Sequence, residues 1–322
     1  MKNNLLTLIF SITLFTYSCS DSFNPIGEFK EDYVLTCIIK SDSSFQIATL
    51  SYSYSGEGND PASNTEDPSI IGADIRVWIG DSVYVFRDSS IVRTEPSRYG
   101  THFNFYYNNS FIISPNENIE IEALLQNGRR LKASATAPDR IIFNSESDVI
   151  IPAVGSNLVR FIWDQQVEGM FFSPQLTIRY KQNEGGMMVE KFKIIPIEYT
   201  QQNGEDIPVY PKPSDKTYVN YQLDAISRAL EEISESDPEK ENYSVYEEPI
   251  FTLFAFDMNL SRYISATNQA FDDLTVTVNE SDFTNIEGGL GVFGSYIDKT
   301  YDNIIFQKIY IQSFGYNFIS TN

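Results

Sequence analysis

The stretch from Asn118 to Ala135, NIEIEALLQNGRRLKASA, decides the fold class. Ile119, Ile121, Ala123 and Leu125 alternate with Glu120 and Glu122, the period of two that belongs to a strand with one buried and one wet face. Asn127-Gly128 marks a turn, and parity restricts its kind. A two-residue loop would set Leu125 opposite Arg130 and Ala123 opposite Lys132, mixing apolar and charged side chains on one face. An odd loop instead aligns Leu125 with Leu131 and Ala123 with Ala133, so the spacing predicts a three-residue turn with Gly128 in the left-handed conformation.

Outward from this hairpin, the same alternation recurs. Residues 33–40, 45–54, 73–79, 82–87 and 101–107 read as strands, which with 118–125 and 129–135 makes seven before Pro138. Gly80-Asp81 fits a two-residue turn that sets Ile75 opposite Phe86 and Val77 opposite Tyr84. Phe103, Phe105 and Tyr107 share one face of their strand, and His102, Asn104 and Tyr106 share the other. Seven short strands without a helical period predict a β-sandwich over residues 32–138, closed by Ala137-Pro138-Asp139. The polar loop 56–69 carries Glu57, Asp60, Glu66 and Asp67, hard oxygen groups whose spacing does not match an EF-hand, so a solvated connection is the simpler reading.

A second β-rich, sandwich-like domain is expected over 139–322. Its strands are read at 158–164, at 175–181 and 187–197 joined by Asn183-Glu184-Gly185-Gly186, at 249–257, near 274–278 and at 303–311, while prolines at 208–213 break the sheet pattern. Leu223, Ile226, Leu230 and Ile233 recur at helical spacing, predicting a helix near 221–235 with Asn220 as its N-cap and Pro238 beyond its end. A weaker helix is read near 260–272. The fold class is therefore mainly β with one or two inserted helices.

Composition bounds the function. The 322 residues carry 44 acidic against 23 basic side chains, a net charge of −21, with 42% hydrophobic and 14% aromatic residues. That is too apolar for a disordered chain. The acidic balance repels phosphate backbones, so no nucleic-acid partner is expected.

The N-terminus, MKNNLLTLIFSITLFTYSC, has Lys2, an apolar run of 11 residues from Leu5 to Phe15, and Cys19. A spanning helix needs about 20 apolar residues, so the run reads as the core of an export signal over residues 1–18. Ser18-Cys19 resembles a bacterial lipobox, with Thr16 where Leu is usual, and the expected lipid attachment is at Cys19. Ser20, Asp21 and Ser22 resemble the signal that sends Bacteroidota lipoproteins to the outer face of the outer membrane, and 19–31 reads as a tether. Removal of 1–18 takes away Lys2 and no acid, so the balance moves from −21 to −22. Acylation of Cys19 leaves Cys37 without a disulfide partner, a small core residue within an apolar strand.

No catalytic set stands out. The one histidine, His102, has no GxSxG nucleophile elbow to serve. One His and one remaining Cys exclude the usual structural zinc sets within one chain. Gly289-Leu290-Gly291-Val292-Phe293-Gly294 matches G-x-G-x-x-G, but the residues after it offer no βαβ unit, so the nucleotide reading is rejected and no cofactor is expected. Glycines 288, 289, 291 and 294 read instead as places where the backbone turns and closely approaches another element.

The run Asn285-Ile286-Glu287-Gly288-Gly289-Leu290-Gly291-Val292-Phe293-Gly294 closely resembles the C-terminal motif of an uncharacterised Bacteroidota outer-membrane lipoprotein family carrying a domain of unknown function, DUF4249. Ile71-Gly72-Ala73-Asp74-Ile75, the 118–129 hairpin and Tyr263 extend the likeness, which departs at Asn116, where the family usually has Gly. The resemblance implies an Ig-like sandwich of the carboxypeptidase-regulatory or transthyretin type over 32–138. It implies no catalytic residues and a setting beside TonB-dependent β-barrel transporters. Asn285, Gly288, Gly289, Gly291 and Gly294 are the motif positions expected to serve structure or partner contact. The expected function is a non-enzymatic accessory or binding lipoprotein at the cell surface, with a glycan or peptide as ligand. The alternative is glycan capture by exposed aromatics such as Tyr52, Tyr54 and Tyr106, and a fimbrial subunit or a carboxylate-dependent hydrolase ranks below it.

The lipobox reading makes a direct prediction. Cys19→Ala is expected to abolish incorporation of labelled fatty acid and to move the protein from the detergent phase to the aqueous phase on phase separation.

Overall fold

The computed structural model describes residues 32–53, 63–94, 99, 102–144, 149–165, 167–202, 204–235, 237–269 and 283–320. Cys19, the tether, Glu57, Asp60 and the strand expected near 274–278 lie outside the described residues. The chain divides into two compact units. Residues 1–31 and 54–64 form one, of which Ser63 and Asn64 are described, and residues 32–53 and 65–322 form the other, whose fold follows.

The unit is mainly β. Its first eight strands are β1 (Tyr33–Lys40), β2 (Gln46–Tyr52), β3 (Asp74–Ile79), β4 (Ser82–Val85), β5 (Arg87–Val92), β6 (His102–Asn108), β7 (Asn118–Leu124) and β8 (Arg130–Thr136). Strands β4-β3-β7-β8 form one sheet, while β1-β2-β6-β5 are the end of a longer one. The two sheets enclose a shared core, with Leu35, Cys37 and Leu50 from one side and Ile75, Val77, Ile119 and Ile121 from the other. Phe86 is the crossing point. Its N–H donates to Ile75 O within the first sheet, and the next residue opens β5, which pairs with β6 in the second.

After residue 138 come β9 (Val149–Ile151), β10 (Leu158–Ile162), β11 (Phe172–Glu184), β12 (Met187–Ile195), β13 (Glu198–Gln202), β14 (Glu205–Val209), β15 (Tyr218–Gln222), helix α1 (Leu223–Glu231), β16 (Tyr243–Tyr246), β17 (Ile250–Phe256), α2 (Met258–Gln269), β18 (Leu290–Tyr301), β19 (Ile304–Phe306), α3 (Lys308–Ser313) and β20 (Asn317–Ile319). The long sheet has ten strands, ordered β20-β16-β11-β17-β18-β1-β2-β6-β5 with β12 beside β11. It therefore runs through both halves of the chain: β18 lies antiparallel to β17 and parallel to β1.

A second core fills the β11-β17 end of this sheet, covered by the β10-β15 pair, α1 and α3. Its centre is the ring pair Phe161–Phe251, stacked at 3.7 Å and 6°. Phe293 belongs to the first core and Tyr301 to the second. Spaced by eight along β18, they fall on one side of the strand, so the same sheet face serves both cores. The C-terminal segment clamps α1: Tyr316 donates to Leu230 O at 2.6 Å, and the Tyr310 and Ser227 hydroxyls meet at 2.9 Å.

Several sequence expectations need correction. The 118–136 hairpin has its three-residue turn, residues 126–128, with Gly128 at φ +83°. Its register, however, is shifted by two: Ala123 faces Leu131 and Ile121 faces Ala133. Parity is preserved, so the same side chains stay inside. Strand β6 is turned over relative to the aromatic-platform expectation. Tyr106 is 1% exposed, its hydroxyl donating to Ile70 O and accepting from Ala73 N–H, while Phe103, Phe105 and Tyr107 form a ring row on the opposite face, with Phe105 buried and Phe103 and Tyr107 half-buried. Asn220 does not cap α1; it sits in β15 and its Oδ1 accepts from Arg160 Nε, leaving Gln222 at the cap. The strand expected at 303–311 is three residues of β19 followed by α3, because Ile311 turns into the core as Tyr310 caps it against α1.

Phe161→Ala removes one half of the stacked pair at the second core. It is expected to lower unfolding free energy by about 3–5 kcal/mol, read from denaturant midpoints at unchanged slope.

Candidate functional site

The motif 285–294 is a route for the backbone from one sheet to the other. The side chain of Asn285 holds both main-chain groups of Phe293, donating Nδ2 to its carbonyl at 2.7 Å and accepting its N–H at 2.9 Å. A single amide thus replaces a missing strand neighbour. Glu287 exchanges two main-chain hydrogen bonds with Lys132 on β8, at 2.7 and 3.0 Å. The next carbonyl, of Gly288, accepts from Arg129 Nε and Nη2 at 2.9 and 2.6 Å. Arg129 also pairs with Asp32 and lies over the Tyr33 ring at 5.0 Å.

From there the chain drops between β1 and β17 as β18. Gly291 has φ +114°, and a Cβ there would run into the carbonyl oxygen of Leu35. A Cβ on Gly289 would stand 2.5 Å from Tyr33 O, and one on Gly288 would meet Arg130 O. At Gly294 it would come within 3.0 Å of Asp257 Oδ1. These four glycines therefore lie where backbone meets backbone or a buried carboxylate.

Asp257 anchors the other side of β18. It is 2% exposed and precedes α2, whose Leu260 N–H it accepts at 2.7 Å, an N-cap bond. Its Oδ2 accepts from Ser295 N–H at 2.6 Å and Ser295 Oγ at 3.0 Å. Burial pushes its pKa up to about 6, and the hydrogen bonds from Leu260 and Ser295 pull the other way.

Beside this junction lies an open trough of about 660 Å³. Its floor is the outer face of the four-stranded sheet, where Trp78, Glu120 and Ser134 stand in one cross-strand row. Glu122 sits next in line, paired with Arg130 at 3.1 Å and Lys132 at 3.0 Å. Asn259 on α2, Asn285 and Glu287 form the wall. Asn259 is fixed by donating to Ser134 O at 2.8 Å. Trp78 lines it with an aromatic side chain, the Asn285 amide and Asn259 Nδ2 are held by main chain, and three carboxylates, Glu120, Glu122 and Glu287, line one recess. That set suits a polyhydroxylated ligand that offers both an apolar face and hydroxyl groups.

Of the sequence-predicted residues, Asn285 lines the trough, and Gly288, Gly289, Gly291 and Gly294 are not among its lining residues. Glu120 and Glu122 are the wet half of the alternation that decides the fold, but nothing in the sequence singles them out as a site. Trp78 and Asn259 reach the trough only through sheet pairing and helix docking. Cys37 is buried at 0% exposure, where desolvation raises its thiol pKa, and His102 is exposed at the start of β6. Asp67 accepts the Ser69 N–H at 2.9 Å, and among the described residues no group of three or more His, Cys, Asp and Glu is arranged to hold a metal. No described helix is long and apolar enough to cross a membrane.

Comparison of the chain with protein-family models gives no match, and comparison with curated proteins gives none either.

The buried carboxylate sets a pH signature. Because the folded state raises the pKa of Asp257, the folded chain holds a proton that the unfolded chain has lost between about pH 4 and about pH 6. Its contribution therefore falls as pH rises through that window and is level above it. The difference in stability between the native chain and Asp257→Asn, followed by denaturant titration, is expected to change across pH 4–6 and to be flat from pH 7 to 8.

Proposed function

We propose that this chain is a non-enzymatic, lipid-anchored surface component that acts as an accessory or binding subunit beside a TonB-dependent β-barrel transporter of the outer membrane. The observation that carries this reading is the pairing of the Cys19 lipobox with the 285–294 motif, which resembles that of the Bacteroidota lipoprotein family named above. The geometry of the motif supports it. Asn285 and the Gly288 carbonyl are engaged with the chain's own backbone and Arg129, which suits a scaffold for a neighbouring surface rather than reacting groups. The trough supplies that surface, and its ligand is a glycan or a peptide delivered to the transporter.

A tagged chain extracted gently from native outer membranes is expected to bring down one β-barrel transporter in stoichiometric amount by mass spectrometry. Recovery of the chain alone from intact complexes would count against the accessory role.

Glycan capture without a transporter is the second reading, favoured by Trp78 on the trough floor. Trp78→Ala is then expected to release the chain from polysaccharide in affinity gels. Breakdown of the same polysaccharide by the native chain, lost in Glu120→Gln, would instead favour a carboxylate-dependent hydrolase.

A further inference from the structure

Strands β1, β2, β6 and β5 turn one face to the first core, and their other face holds a group of large apolar side chains. Along β6 the rings of Phe103, Phe105 and Tyr107 follow one another at 5.9 and 6.4 Å, and Phe45 stacks on Tyr107 at 5.9 Å. Ile47 stands opposite Tyr107 on β2, and Ile91 opposite Phe103 on β5. Phe45, Ile47 and Ile91 are 49, 40 and 55% exposed, so the patch is open to solvent. An open cluster of this kind marks an interaction surface.

Charge sets this face apart. On a chain with 44 acidic residues, none of the outward positions of these four strands is Asp or Glu. The outward face of the four-stranded sheet, by contrast, carries Asp74, Glu120 and Glu122. The edge strand β5 sets Arg87 opposite Tyr107, and Arg93 follows its end with the guanidinium 5.3 Å from the centre of the Phe103 ring. Neither arginine is in an ion pair among the described residues, whereas Lys40, at the far end of β1, is paired with Asp298 at 2.6 Å.

We propose that this face lies on a lipid surface, with the Phe and Ile side chains entering the acyl boundary and Arg87 and Arg93 reaching the headgroup phosphates. Apolar area buried at that boundary supplies the attraction, and a guanidinium takes a phosphate in paired hydrogen bonds while its stem stays on apolar neighbours. A face without carboxylates does not repel the phosphate layer, and acids elsewhere on the molecule are screened beyond the Debye length of about 8 Å at physiological salt. A second copy of the chain fits less well, because the same face on a partner would bring no anion to either arginine. For its setting the proposal rests on the lipid-anchored reading, in which the tether 19–31 leads into β1 of this same sheet.

The test uses the Cys19→Ala chain, so that neither an acyl anchor nor a transporter contributes. This chain is expected to float with vesicles of phosphatidylethanolamine and phosphatidylglycerol, and to do so less as salt is raised. Adding Ile47→Ser/Ile91→Ser should weaken the partition at least about tenfold. Adding Arg87→Gln/Arg93→Gln should weaken it severalfold and flatten its salt dependence. Both variants should keep the parent's melting curve, since the altered side chains are exposed. Ile309→Ser, which removes an 80% exposed side chain from α3, is expected to leave the partition unchanged. Absence of flotation, or equal flotation of the parent and either double variant, would overturn the proposal. So would a dimer in sedimentation that Ile47→Ser/Ile91→Ser splits, because a second copy would then own the face. Failure of a transporter to co-purify with the acylated chain would remove the accessory role and not this surface, which is measured without it.

Discussion

The described unit depends on one insertion: β18 passes between β1 and β17, and the two cores share a sheet only because it does. The contact is backbone on backbone, with Gly291 so close to the Leu35 carbonyl that no side chain fits. A parallel strand brought from the far end of the chain must be guided into its slot, because no short turn sets its register. Asn285, Glu287 and Arg129 do the guiding from one side and Asp257 from the other. Each uses hydrogen bonds to main chain that would otherwise be unpaired.

The same guidance produces the trough. Glu287 is drawn to the edge of β8 by its exchange with Lys132, and α2 is started by the Asp257 cap so that Asn259 reaches Ser134. The wall of the recess is therefore built from the groups that seat β18. Its floor is independent, since Trp78, Glu120 and Ser134 belong to the solvent face of a sheet whose other face is core. Changes in the wall should alter the fold before they alter binding, whereas changes in the floor should spare the fold.

Legibility in the sequence follows the range of the interaction. The Gly80-Asp81 turn appears as read, with Val77 opposite Tyr84, because sequence neighbours settle a two-residue hairpin. Asn116, standing where Gly is usual, adopts φ +61°, a left-handed conformation that Asn tolerates better than most residues. By contrast β5, Arg-Asp-Ser-Ser-Ile-Val, has no apolar alternation; main-chain pairing with β6 makes it a strand. The β6 pattern offers aromatics on both faces. The core took Tyr106 because its hydroxyl finds Ile70 and Ala73 there, which no periodicity reveals. The trough was half legible, in Glu120, Glu122 and Asn285, and Trp78 and Asn259 were not.

By itself the sequence determined the mainly-β class, the hairpin parity, the burial of Cys37 and the need for glycine at 288–294. Each rests on alternation or local backbone sterics, which act over a few residues. Tertiary structure alone decided that β18 joins β1, that β6 shows its Phe face outward, that Asn220 serves a strand rather than a cap, and that Trp78 and Asn259 share a recess. Those outcomes depend on contacts between segments tens to hundreds of residues apart. There the chain entropy lost in closing the loop is repaid only by the complete set of partners, and no local pattern encodes that set.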